Sequence, residues 1–331
     1  MAPAEGGRSL ARTLLLVALA ALLMASPAAA TEIFEKVGTV GFQFLEIGAG
    51  ARGTGMGEAM VAATEGVESV YWNPAGLRHL GGRTVYFSYG TWPADISHQF
   101  AAFAMRPGFI QGIVGVSVTA LSMDAMVLRT ATNPDGVGVE FEPGDIAIGL
   151  SYARVFTDKF SAGGTIRWVH SGLGDLSVLG EEGLEDFAVE TLVGDFGTLY
   201  DTGFRSLRIG LVIQNMGAEA TFYEEPVPVP ATFKFGVWLT LIDTPGQIVK
   251  IAAEFKHPAD TSEKINIGAE YGLNDMYFLR AGYKMNYDEE GFTAGAGARL
   301  IIAGRLLGLD YSYSDFGFLG AVHRMGLTVE I

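Results

Sequence analysis

The run Gly48-Ala49-Gly50-Ala51-Arg52-Gly53 carries the G-x-G-x-x-G spacing. Between a strand and a helix that spacing brings backbone N–H groups up to a pyrophosphate, and an acidic residue about 20 positions on binds the ribose. Glu68 and the β-only pattern that follows do not supply that setting, so the glycines read as tight backbone packing. The five histidines, His79, His98, His170, His257 and His323, are dispersed without an H-x-x-x-H pair, and there is no Cys to complete a metal set. No G-x-S-x-G elbow is present either. Neither catalysis nor a cofactor or metal is therefore expected. What remains is charge in clusters: Glu181, Glu182, Glu185 and Asp186; Glu224 and Glu225; Asp288, Glu289 and Glu290. Such runs read first as solvated loops, and second as carboxylates that bridge divalent cations to anionic lipid or dock a basic segment.

The elements that position these groups begin with an export signal. Arg8 and Arg12 precede the apolar run Leu14 to Ala25 and then Ser26-Pro27-Ala28-Ala29-Ala30, the pattern of a cleavable signal peptide over residues 1–30. No Cys follows for a lipid anchor, and no disulfide can form. Residues 1–30 hold Glu5, Arg8 and Arg12, so the remainder is one unit more negative than the −15 of the whole chain. That balance disfavours nucleic acid as a partner. No other apolar run approaches the ~20 residues of a membrane-spanning helix, although 49% of residues are hydrophobic.

From about residue 83 the chain alternates with period two. Val249, Ile251, Ala253 and Phe255 interleave with Lys250, Ala252, Glu254 and Lys256, and Ile265, Ile267, Ala269 and Tyr271 with Asn266, Gly268, Glu270 and Gly272. About fourteen such segments follow one another, each near the ~9 to 11 residues of a tilted strand that crosses a bilayer. Connections alternate as well: short at 157–158, 243–246, 274–275 and 304, long at 122–143, 171–186 and 217–230. Short turns on one side and long loops on the other describe an all-β, antiparallel transmembrane barrel of the outer membrane of a Gram-negative-type bacterium, with lipid around it. The long side holds roughly half of the 37 acidic residues and, of the bases, only Arg129. Charged residues of the strands, Arg208, Lys250, Glu254, Glu270, Arg280, Arg299, Asp310 and Arg324, share the polar parity and are expected to line the lumen. Tyr86, Tyr89, Trp92, Trp168, Trp238, Tyr271, Tyr277, Tyr283, Tyr311 and Tyr313 lie toward segment ends and read as interfacial girdles.

Before the first strand stands Tyr71-Trp72-Asn73-Pro74-Ala75-Gly76-Leu77. Asn73 suits a helix N-cap, Pro74 presets the first helical φ, and Gly76 permits close approach.

Residues 48–77, GAGARGTGMGEAMVAATEGVESVYWNPAGL, together with LRIGLVIQNMG at 207–217, AAEFKHPAD at 252–260 and DYSYSDFGFLGAVHRMGL at 310–327, resemble FadL-like outer-membrane proteins and, within them, the PorV/PorQ family. The resemblance implies a fourteen-stranded barrel over 83–331 whose preceding residues, 31–82, fold into the lumen as a hatch that includes Asn73, Pro74, Ala75 and Gly76. It also implies one of two functions. A PorV-like protein binds the C-terminal signal domains of secreted cargo for type IX secretion and surface attachment. A FadL-like channel passes long-chain fatty acids or other hydrophobic small molecules. The chain ends Leu327-Thr328-Val329-Glu330-Ile331, which keeps the alternation but lacks the terminal aromatic residue usual in such barrels.

Overall fold

The computed structural model describes residues 38–172, 174, 188–222 and 225–331. The expected signal peptide and the acidic residues Glu181, Glu182, Glu185, Asp186 and Glu224 lie outside them. Period-two sequence becomes fourteen barrel strands: β1 Thr84–Thr91, β2 Ser97–Met105, β3 Ile113–Ser122, β4 Gly144–Val155, β5 Phe160–Gly172, β6 Ala188–Asp201 and β7 Arg208–Gly217. The second half comprises β8 Thr232–Thr244, β9 Gln247–Pro258, β10 Lys264–Leu273, β11 Tyr277–Met285, β12 Phe292–Ile302, β13 Arg305–Asp315 and β14 Ala321–Glu330. Each pairs antiparallel with the next, and β1 pairs with β14 from Thr84↔Glu330 to Thr91↔His323, which closes the barrel and leaves no sheet edge. The ladder shifts register twice, between Gly194 and Phe196 in β6 and between Thr240 and Ile242 in β8.

Turn chemistry explains the short side. Ala303 and Gly304 both take positive φ, 51° and 75°, as a two-residue hairpin turn with right-handed strand twist requires. On the long side, two-stranded hairpins rise from the loops, Met126–Val127 with Glu140–Phe141 and Ala220–Phe222 with Glu225–Val227.

The two strand faces differ as lipid and lumen must. Val116, Ile148, Leu150, Ile166, Leu192, Leu279 and Met325 point outward and are exposed, a band of apolar side chains suited to acyl chains. On the opposite parity sit small, polar and charged residues, largely buried. Among the described residues no helix is long and apolar enough to span a bilayer; strands form the wall.

What buries the inner face is the chain's own segment from Phe42 to Leu80. It folds as 3-10 turns and two short helices, α1 Ala51–Gly55 and α2 Ser69–Trp72. Met56, Met60, Val70, Tyr71, Trp72 and Leu77 form one apolar core with Tyr86, Phe100 and Trp238 of the wall. Near the long loops, Phe42, Phe44 and Leu45 form a second with Val169, Val189 and Val193.

The girdle expectation needs correction for three rings. Tyr86 shares the inward parity of Thr84 and Ser88, is fully buried, and accepts a hydrogen bond at its hydroxyl from Ala51 N at 3.1 Å. Trp238, 3% exposed, also faces inward, and Trp92 covers the lumen's loop end with its ring 5.0 Å from that of Phe316. Parity outranks residue type here, because a strand side chain has only two directions. Tyr89, Tyr277, Tyr283 and Tyr311 do face outward and are exposed.

Candidate functional site: a packed lumen with two cavities

The inward segment lies directly on the wall's glycines. A Cβ on Gly197 would come within 2.1 Å of Asn73 Oδ1, and one on Gly282 within 2.2 Å of Gly57 N. Gly210 and Gly268 are covered in the same way by the carbonyls of Val61 and Met56. Glycine is needed at these places for want of room. The glycines of the G-x-G-x-x-G run serve the same end from the other side: a Cβ on Gly53 would meet the Trp72 ring at 2.6 Å.

Asn73, fully buried, uses its whole amide. Its Oδ1 accepts from Ala75 N at 3.1 Å, capping the 3-10 turn Pro74–His79, and its Nδ2 donates to Val61 O at 2.9 Å and to Thr198 O in β6 at 3.2 Å. The Ala75 carbonyl accepts from Ser161 Oγ of β5 at 3.0 Å. Pro74 and Gly76 are buried beside them, with Gly76 against Thr64 and Ser69. The turn is therefore bolted to β5 and β6.

Charge provides the other fastenings. Glu270 of β10 accepts from Arg52 Nε of α1 at 3.0 Å and from Arg280 Nε of β11 at 2.8 Å, and Arg280 Nη1 continues to Asp310 of β13 at 2.5 Å. Glu254 of β9 accepts the backbone N–H groups of Met60 and Val61, both at 2.9 Å. Arg208 of β7 binds Glu65 at 3.1 Å and Asp201 at 3.0 Å. Lys284 of β11 holds Glu58 at 2.7 Å and also Glu290. Burial alone would raise the Glu58 carboxyl, but the Lys284 ammonium outweighs it and holds the group below the usual carboxylate range. Buried charges persist where each meets an opposite charge and further hydrogen bonds, and most of these do.

Of the expected lumen charges, half-buried Lys250 instead lies over the Trp238 ring at 5.3 Å, and Arg299, more exposed, over Phe278 at 4.6 Å. Arg324 is buried without a hydrogen-bond partner for Nε or Nη1. Glu225, Asp288 and Glu289 are exposed, whereas Glu290 turns in to Lys284, so the solvated-loop reading does not hold for that one residue. Arg167, bound to Asp195 at 2.6 Å and to Asn215, and Lys234, over Trp72 at 5.7 Å, belong to the same lumen and add to the expected set. Their inward parity was available in the alternation of β5 and β8. Arg52 and Glu58 had no such signal, because the Gly-rich segment that carries them has no strand period.

Between these fastenings the lumen keeps a cavity at each end. At the loop end, ≈ 580 Å³ is enclosed by Phe42, Phe44, Ile47, Trp92, Ile96 and Leu121 on one side and by Lys256, Lys264, Lys284, Tyr287 and Glu290 on the other. Lys256 is paired with Glu46 at 3.0 Å, whereas Lys264 lies over the Tyr287 ring at 4.6 Å. At the turn end, ≈ 290 Å³ is lined by Glu65, Glu68, His79, Arg52, Arg299, Asp310 and Glu330. Burial first, then the neighbouring Asp310, pushes the Glu68 carboxyl up to about 7. Burial also takes His79 down to about 4, which leaves it neutral at pH 7. Among the described residues no cluster of His, Asp and Glu could hold a metal ion.

No family model matches the chain, and no curated protein matches it. Solved structures do match. The toluene transporter TbuX of Ralstonia pickettii superposes over 85% of this chain and 97% of its own with a TM-score of 0.56 at 17% identity. The Pseudomonas putida toluene transporter TodX gives 0.56 at 12% identity over 85% and 97%. A FadL homologue of Pseudomonas aeruginosa gives 0.51 at 12% identity over 85% and 96%. The chain has the fold of the bacterial outer-membrane β-barrels of the FadL/TodX type.

Proposed function

We propose that the protein is an outer-membrane channel for hydrophobic small molecules, with residues 31–82 as its plug and 1–30 as its export signal. The loop-end cavity carries the reading. At ≈ 580 Å³ it lies within the size range of small-molecule sites, and its apolar wall of Phe42, Phe44, Ile47, Ile96 and Leu121 opens beneath the long loops. An apolar solute gains by leaving water for that wall. It is then held against the inward segment, whose fastenings must loosen for it to pass. No step requires bond chemistry, in keeping with a carrier role and not an enzymatic one.

The structures of like fold support a channel over PorV-like delivery of secreted C-terminal domains, since they are described as transporters of toluene or, for CymD, as a channel for monoaromatic hydrocarbons. The test uses the full chain reconstituted in liposomes, with toluene and a long-chain fatty acid as probes. At least one probe is taken up faster than by empty liposomes, and Phe44→Asp, which places a charge in the apolar wall, abolishes the gain. Uptake equal to that of empty liposomes for both probes, together with loss of surface display of secreted proteins in a deletion strain, would overturn the channel in favour of the secretion role.

A further inference from the structure

Arg324 is the one cation of β14 that faces the lumen, at the end away from Glu330, and it is 2% exposed. Its Nε and Nη1 have no hydrogen-bond partner. The acid that lines the same cavity, Glu58, is engaged by Lys284 at 2.7 Å, and Glu290 is engaged by the same ammonium. A guanidinium buried without an anion costs several kcal/mol, so such a group calls for a counter-charge. Gly90, directly across the β1–β14 ladder, makes room for the guanidinium itself, since a Cβ there would come within 2.8 Å of Arg324 Nε.

Beside the guanidinium lies a third, small cavity of ≈ 10 Å³, lined by Arg324, Lys284, Trp92, Ser312, Ser314, Thr54 and Glu58 together with Phe316 and Val322. The set is rich in donors. Trp92 Nε1 is a second buried donor with no partner, and it can only donate. Ser312 Oγ already shares a hydrogen bond with Thr54 Oγ1 at 2.7 Å, and Ser314 adds another hydroxyl. Two cations stand against one carboxylate, and that carboxylate is already paired. A volume of this size is about that of one water-sized probe, which excludes a carboxylate or phosphate group and leaves a single monatomic ion, a little larger than water, to be seated by small side-chain shifts.

We infer that this cavity is a binding site for a single halide-sized anion, held by Arg324, Trp92 and the Ser312 and Ser314 hydroxyls. The anion would tie Trp92 to parts that are already joined to one another, α1 to β13 by the Thr54–Ser312 hydrogen bond and β13 to β14 by their ladder. The site adjoins the loop-end cavity, with which it shares Trp92, Glu58 and Lys284. Anion occupancy therefore sets how firmly the floor of that cavity is fastened.

Crystals of the full chain grown in bromide provide the direct test. An anomalous peak in contact with Arg324 Nε and Trp92 Nε1 is expected; an ordered water there with no bromide signal overturns the site. In detergent solution, replacing gluconate by chloride at constant ionic strength should raise the unfolding midpoint of the wild type in a saturable way. Arg324→Gln should lose that response. If Arg324→Gln does not fold, Trp92→Phe, which keeps the ring on Phe316 and removes only the N–H, should weaken the chloride response roughly tenfold, as loss of one hydrogen bond to a charged group implies. An unchanged chloride response in the variant that folds, or none in the wild type, overturns the inference.

Discussion

The two ends of the lumen are built from opposite materials. At the loop end the inward segment presents Phe42, Phe44 and Ile47 to a wall carrying three lysines, of which Lys256 and Lys284 are neutralised by acids of that same segment or of a loop. At the turn end it presents Glu65, Glu68 and His79, with Arg52 and Arg299 as cations and Glu68 left with an unpartnered oxygen. An apolar guest is thus welcomed at one end and disfavoured at the other. For the channel proposed above, the difference would give the ends different tasks: capture beneath the loops, and control where the segment's buried carboxylates meet the turns. Between them stands α1, whose Arg52 faces the turn-end cavity while Glu58, just beyond it, faces the loop end.

The strongest way to break this division is to remove what holds α1 in place. Glu270→Ala leaves Arg52 and Arg280 as buried cations without their shared carboxylate, a loss of about 3–5 kcal/mol. Because the fastening is between segment and wall, the barrel ladder should survive and the two cavities should merge. Single-channel conductance in planar bilayers should rise, and protease should cut within 42–80. A closed, protease-resistant variant would show that apolar packing alone, notably Trp72 and Met60, separates the ends.

A smaller loosening is expected at the bolted turn. Asn73→Ala removes two donor bonds and a cap and leaves the Val61 and Thr198 carbonyls without that amide, worth about 1–3 kcal/mol. Faster hydrogen exchange confined to residues 60–76, with strand amides unchanged, is the predicted reading. Equal exchange in mutant and wild type would remove Asn73 from the fastenings.

Much of this architecture was legible in the alternation of side chains. Fourteen segments were expected and fourteen strands form, and β10 spans Lys264–Leu273 as its pattern indicates. Period two fixes the inner face, because a one-residue slip would turn every lysine of β9 toward lipid, but it leaves the ends open: β8 runs on to Thr244, into the connection expected at 243–246. The segment between Phe42 and Leu80 is a different case. Its short helices and 3-10 turns have no repeat, so nothing local says that Arg52 will meet Glu270, 218 residues away. Its partners are chosen by the shape of the barrel it enters. Tyr86 and Trp238 show the remaining kind of error: their ring chemistry suggests an interface, and only their parity places them inside.

The turn end can be tested alone through pH. Glu68 faces Asp310, Arg52, Arg280 and Tyr86, and its carboxyl titrates near 7 when folded against 4.5 when free. The unfolded chain gives up this proton from about 4.5 upward while the folded chain keeps it to about 7. Its contribution is therefore full below 4.5 and is lost as pH rises through 7. The segment should become easier to unfold from pH 5 to pH 8, and Glu68→Gln should flatten that slope. Protease protection of 42–80 measured across this range reads it directly; a slope unchanged in the variant would assign the titration to another group.

The smallest effects sharpen the comparison at its loop end, where neighbouring acids differ in kind. Glu290 reaches in to Lys284, while Asp288, two residues earlier, is exposed and serves only the loop. Glu290→Gln removes one of two acids from Lys284 and leaves Glu58 at 2.7 Å, so a modest loss of about 1 kcal/mol follows for a half-buried pair already shared. Asp288→Asn should be silent, as isolated surface charges usually are. Thermal unfolding of the two variants side by side separates them, and a larger effect at Asp288 would mean that the loops, and not the lysines beneath them, hold the cavity's shape.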